Sequence, residues 1–170
     1  MALVVPYGWA EDEVLGVSKL NDMSFGTIDF DGSTGIGDVA LGSNGGIGYG
    51  GNTSGNGMGT PAQMLITGPV GTTVTISCSQ SGSLMRGGGT ALSLSPVVFR
   101  IGAGYTGPFA TDTVCAGLGV TVATHTIGTD AADNTLFVGG KLAVHSQPLS
   151  SGAYGAGQGG VLPSFQLLVQ

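Results

Sequence analysis

The side chains able to do chemistry are few: two histidines, two cysteines, ten acidic residues and four basic ones in 170 residues. His125 lies in "TVATHTIG" and His145 in "LAVHSQ", both alternating stretches that read as strands. A nucleophile–base–acid relay needs a hydroxyl and a carboxylate converging on one imidazole. The nearest carboxylates in the chain, Asp130 and Asp133, fall in a turn, so both rings read as hydrogen-bonded or solvent-facing groups. "DFDGSTGIGD" gathers Asp29, Asp31 and Asp38 and hints at calcium, yet it lacks the spacing and terminal glutamate of a helix–loop–helix calcium loop. Aspartates that shape turns explain it better. "GGNTSGN" holds a glycosylation acceptor pattern at Asn52, which is short and common by chance. "GAGYTG" and "MRGGGT" are not phosphate loops, because neither joins a strand to a helix and no lysine follows. The expectation is a protein with no catalytic residues, no metal site and no cofactor: not an enzyme.

Cys78 and Cys115 are too far apart, and too poor in nearby histidine, for a zinc site. An even count in a charge-poor, β-rich chain points to one disulfide and so to an oxidising compartment. The other reading is two buried thiols packing as small apolar groups.

The elements that must hold these residues follow from composition. Glycine supplies 34 residues, about three times its ordinary share, and charged residues only 8%. Each glycine costs about 1 kcal/mol inside a helix, and the remainder is rich in Val, Thr, Ile, Leu and Ser. The class is all-β. A net charge of −6 with four basic residues leaves nothing to neutralise phosphates or grip an anionic bilayer. Nucleic acid is therefore excluded as a partner, and no apolar run is long enough for a membrane-spanning helix. Mean hydropathy of +0.36 suits a surface packed against neighbours.

Along the chain, Met23, Phe25 and Thr27 alternate in "KLNDMSFGTIDF" as a first core strand. Val39–Leu41 and Ile47–Tyr49 flank the hairpin signal "SNGG", and residues 50–59 read as a loop without regular structure. "AQMLITG" and "TTVTISCS", joined by "PVG", form the clearest pair, with Val74, Ile76 and Cys78 on one face and Thr73, Thr75 and Ser77 on the other. "ALSLSPVVFRIG" is a strand in which Pro96 marks an edge or bulge. "GLGVTVATHTIG", "NTLFVGGKLAVHS" and "VLPSFQLLV" complete eight or nine short strands, the pattern of a two-sheet sandwich. "AEDEVLG" offers one helical turn at most.

The N-terminal "MALVVPYGW" is an apolar run holding the single tryptophan. It could be a targeting peptide, an anchor, a strand of the chain's own core, or a strand for another molecule. It has no basic n-region, and Pro6, Gly8 and the acidic Glu11–Glu13 interrupt it, so the expectation is that it is not a signal peptide. Either a leader has been removed or export takes another route.

Three stretches together carry a likeness: "LNDMSFGTI" at Leu20–Ile28, "GTPAQMLITGPVGTTVTIS" at Gly59–Ser77 and "NTLFVGGKLAVHSQPLSSGAY" at Asn134–Tyr154. They resemble an exported bacterial family of pilin-like domains of unknown function, with an L-x-F-G opening, a hairpin p-A-x-f-x-I-x-G-x-x-G and a closing V-G-G-x-L-x-V … G-x-Y. That family looks related to spore-coat and archaic chaperone–usher pilins. Here the end reads "FQLLVQ" where such chains often carry V-x-Y, and residues 79–126 carry no family motif, so the disulfide is not inherited from the likeness.

The resemblance implies an immunoglobulin-like sandwich that lacks one strand, spanning residues 20–170, with residues 1–19 as donor strand and linker. Leu3, Val5, Tyr7 and Trp9 share one side of that donor, and Glu11–Lys19 is the spacer. Val14–Leu20 is a shorter second donor, interrupted by Gly16. The implied function is a structural subunit of an extracellular, cell-surface filament assembled by donor-strand exchange, serving adhesion or biofilm scaffolding. Its partners would be identical subunits, with a periplasmic chaperone and an outer-membrane usher as the assembly machinery of that route. The alternatives are a self-complemented surface binding module and a virion decoration or tail protein.

Overall fold

The structure, a computed structural model, describes residues 14–31, 35–56, 58–85, 91–102, 112–144 and 163–170. Among them every regular element is a strand. In the first half these are β1 (Gly16–Asn21), β2 (Thr27–Phe30), β3 (Gly37–Leu41), β4 (Ile47–Gly51), β5 (Thr53–Asn56) and β6 (Ala62–Thr67). The second half supplies β7 (Thr73–Cys78), β8 (Gly82–Met85), β9 (Ala91–Ile101), β10 (Thr113–Val114), β11 (Ala123–Thr126), β12 (Thr135–Val144) and β13 (Phe165–Val169). The all-β expectation holds, and the strands form a β-sandwich with open sheets.

An eight-stranded sheet is organised around β12. On one side β12 pairs with β9 along Leu136–Ala143. On the other it pairs first with β6 through Thr135–Val138 and then with β3 through Gly140–Val144. Gly139 sits at the changeover, where a Cβ would collide with the Leu41 carbonyl oxygen. That close backbone approach is why "VGGKL" carries glycine there. β1 extends the sheet beyond β6, β4 beyond β3, and β8 and β10 both lie along the far edge of β9.

Facing it is a three-stranded sheet in the order β11–β7–β13, and β2 pairs with β5 as a separate ribbon. One core joins the two sheets: Val74, Ile76 and Cys78 of β7 meet Val39, Leu41, Ile66, Leu94, Val97, Phe99, Leu136 and Leu142. Side chains of this kind contribute about 1.5–3 kcal/mol each when fully buried, which is what holds sheets this poor in charge together. The opposite face of β7 is also covered, because Thr75 and Ser77 are buried between the two flanking strands. Their hydroxyls are satisfied there: Thr75 donates to the Leu168 carbonyl at 3.2 Å, and Ser77 Oγ accepts from the Gly119 amide at 3.3 Å.

The strand count rises from the eight or nine expected to thirteen among the described residues, with β8 and β10 unforeseen, and four further expectations change in detail. The pair "AQMLITG" and "TTVTISCS" is two strands as read, but they do not form a hairpin: β6 lies in the large sheet and β7 in the small one. Residues 68–72 arch between layers, with Gly71 at a left-handed φ of +87° and both Ile66 and Val74 pointing into the shared core. The first core strand is broken at Gly26 (φ +68°), leaving β1, a bridge from Ser24 to Thr60, and β2. The expected spacer up to Lys19 is already strand from Gly16, held to Thr67 and Ile66 of β6. Finally, residues 50–59 are not all loop, since β5 pairs with β2. Gly55 permits this by letting the Thr27 carbonyl approach where a Cβ would clash, and Thr53 Oγ1 donates to the carbonyls of Asp38 (2.8 Å) and Gly50 (2.7 Å).

Pro96 behaves as a bulge residue inside β9. β8 pairs with Ala91–Leu94 and β10 with Val98–Phe99, leaving Pro96 between them, and the β12 register shifts between Gly140 and Leu142.

Candidate assembly surface

The four proposed donor residues, Leu3, Val5, Tyr7 and Trp9, lie outside the described residues, as does His145. What the structure supplies is the surface on which an added strand could act. That surface is built on β7, the centre of the small sheet.

β7 is anchored by the disulfide expected from the sequence: Cys78 at its end is bonded to Cys115, just after β10. The Cα atoms are 5.2 Å apart, and the Cys115 amide donates to the Val97 carbonyl at 3.0 Å. The bond therefore staples the small sheet to the large one beside β9, at the end of the edge strand β10. Both sulfurs are in the core, and no free cysteine occurs among the described residues.

On one flank of β7, β11 carries alternating Ala123, Thr124, His125 and Thr126. His125 Nε2 lies 2.9 Å from Asn134 Oδ1, which also accepts from the Gly128 amide at 2.9 Å. The Asn134 amide in turn donates to the Gly128 carbonyl at 2.8 Å. Asn134 is itself buried next to the start of β12, so this trio ties the β11 edge to the large sheet. Thr126 and Thr73 hydroxyls meet across the ladder at 3.0 Å. The imidazole is thus an orienting, structural group, and Asp130 is occupied in its turn by the Ala132 amide at 2.9 Å. Asp38, from the acidic stretch, pairs with Lys141 on the neighbouring strand. No cluster of three or more His, Cys, Asp or Glu converges among the described residues.

On the other flank, β13 pairs with β7 from Phe165↔Cys78 to Val169↔Val74. Phe165 turns inward and its ring meets Phe99 edge-on, centroids 5.6 Å apart. Leu168 and Val169 are 60% and 63% exposed. The Ser79 amide bonds to the Ser164 carbonyl and the Gln170 amide to the Thr73 carbonyl. Antiparallel alternation then turns the amides of Phe165, Leu167 and Val169 away from β7. Among the described residues nothing pairs with them. The strand "FQLLV" carries no charge, proline or bulge, the usual protections of an edge. Over β9 the small sheet stops at β13, whereas the large sheet continues to β8 and β10, where Leu84 is only half-buried. Among the described residues, a layer that stops short beside an uncharged edge has the geometry that strand addition uses.

Sequence reasoning found the disulfide and the terminal strand. It missed that "FQLLVQ" is an edge, because pairing partners are set by topology and leave no mark on the strand itself. The absence of charge in that stretch was the available signal.

Among known proteins, no curated protein and no solved structure matches the chain significantly. A family model does match, over residues 15–159, from the first residues before β1 to a point beyond β12. The chain therefore belongs to the family described as the domain of unknown function DUF4402.

Proposed function

We propose that this protein is a pilin-type structural subunit of an extracellular filament, its sandwich completed by the N-terminal segment of a neighbouring copy. The observation that carries the reading is the uncharged outer edge of β13, with its outward amides and exposed Leu168 and Val169. The sequence supplies a matching strand in Leu3, Val5, Tyr7 and Trp9. Burying four such side chains would contribute about 6–12 kcal/mol before any ladder hydrogen bonds form. A head-to-tail contact of this kind does not close on itself, so it propagates as a fibre. The disulfide, which restrains the unfolded chain, suits an exported protein. Adhesion and biofilm scaffolding are the roles such a filament would serve.

Removing residues 2–10 tests it. The truncated chain is expected to give no fibres by electron microscopy and to gain thermal stability when a synthetic peptide of residues 2–10 is added. Normal fibres from the truncated chain would refute the reading.

One observation favours a second reading, a self-complemented binding module. Gly16 faces Thr67 just before the inter-sheet arch, and Gln170 bonds to Thr73 just after it, so both ends of the described chain leave at the same end of the sandwich. The N-terminal segment of the same molecule would then take the β13 edge. Full-length protein that stays monomeric by light scattering would decide for it.

A further inference from the structure

The outer face of the large sheet, away from the shared core, holds a concavity of about 270 Å³. Its floor is one cross-strand row: Gln63 on β6, Phe137 on β12 and Arg100 on β9, in direct register. One wall is the β3–β4 hairpin turn around Ser43 and Gly45; the other is the segment Met58–Pro61. These walls are braced together, since a Cβ on Gly45 would come within 3.1 Å of the Gly59 carbonyl.

Beneath the rim lies a polar arrangement that packing alone does not call for. The Asp112 carboxylate is buried and accepts from the Ser43 amide at 2.9 Å and the Ser43 hydroxyl at 2.7 Å. It also faces Arg100 Nε at 3.5 Å. One carboxylate thus fixes both the wall and the guanidinium beside Phe137, and balances the arginine's charge inside the protein. A buried charge is tolerable only when matched and hydrogen-bonded in this way. Gln63, by contrast, lines the concavity and forms no side-chain hydrogen bond among the described residues.

We propose that this concavity binds a single neutral sugar ring, of the kind displayed on glycans. The face of an aromatic ring is electron-rich and attracts polarised C–H groups, such as those on one side of a pyranose. The carboxamide of Gln63 offers both a donor and an acceptor to ring hydroxyls beside it. Because Asp112 matches the Arg100 charge, the site has no excess positive field to select an anion. Its volume lies just below the roughly 300–1,000 Å³ of pockets for drug-sized ligands, which fits one ring and not a chain of them. The site is on a different face from the β13 edge, so it stands whether or not the chain forms fibres.

The test is saturation-transfer NMR on the full-length protein, with glucose, galactose, mannose and N-acetylglucosamine at millimolar concentration, and glucuronate as the anionic comparison. Transfer to the ring C–H protons of at least one neutral sugar is expected. Phe137→Ala should weaken that binding at least about tenfold, Gln63→Ala about fivefold, and Phe137→Tyr should retain it. Thermal melting identifies which variants fold, and Gln63→Ala, half-exposed on its strand, serves if Phe137→Ala does not. No transfer to any neutral sugar, transfer unchanged in the folded variants, or preferential transfer to glucuronate would each overturn the proposal.

Discussion

The two edges of the small sheet rest on the same central strand and are finished in opposite ways. β11 is short and polar, and its histidine is tied through Asn134 to the opposite sheet. β13 is apolar on its inner face and carries Gln166 and Leu168 on the other, with no charge and no bulge to discourage another strand. Edge strands are ordinarily guarded, because an exposed row of amides and carbonyls templates pairing with other chains. Under the proposed function, guarding one edge and leaving its counterpart bare would confine strand addition to a single side. Such polarity is what a linear assembly needs, and what an aggregating protein lacks.

The largest effect should come from what both edges share. Replacing Cys78 and Cys115 together by serine removes the staple under β7 and should cost about 4 kcal/mol, from the entropy of opening a loop of this length. Urea unfolding of oxidised and double-mutant protein measures it, and both edges should lose order together. Next comes the guarded edge alone. Asn134→Ala strips partners from His125 and from both backbone groups of Gly128, at about 2–3 kcal/mol, because buried groups are left unsatisfied. Hydrogen exchange should then accelerate at Ala123–Thr126 before it does at Phe165–Val169. The smallest change in stability, under about 1 kcal/mol, is expected from Val169→Pro. That substitution deletes an outward amide without touching the ladder to β7. It should nonetheless abolish fibre growth, whereas Thr124→Lys on the β11 edge should leave fibres intact. Equal effects of the two on assembly would erase the distinction between the edges.

Much of this was legible in the chain. Alternation in "TTVTISCS" placed Val74, Ile76 and Cys78 on a buried face, and the two lone cysteines read correctly as a disulfide. "SNGG" marked the β3–β4 hairpin, which closes with the Gly42 amide on the Gly46 carbonyl at 2.8 Å. The arch between β6 and β7 was misread as a hairpin, because a short Gly-containing connection serves both and only the choice of partner distinguishes them. β5 was missed for a related reason. Thr53–Asn56 carries almost no apolar signal, and its pairing with β2 depends on a small residue at Gly55.

By itself the sequence determined the class, the most apolar strands and the covalent staple, since each follows from local periodicity or from residue chemistry carried by single positions. Only the tertiary structure decided which strands became neighbours: that β12 would hold β9, β6 and β3 together, that β11 and β13 would be the two edges of the small sheet, and that Gln63, Phe137 and Arg100 would line up across three strands. The physical reason is that pairing is a non-local free-energy balance. Any strand can satisfy its amides against many others, and the burial of a shared core selects among them.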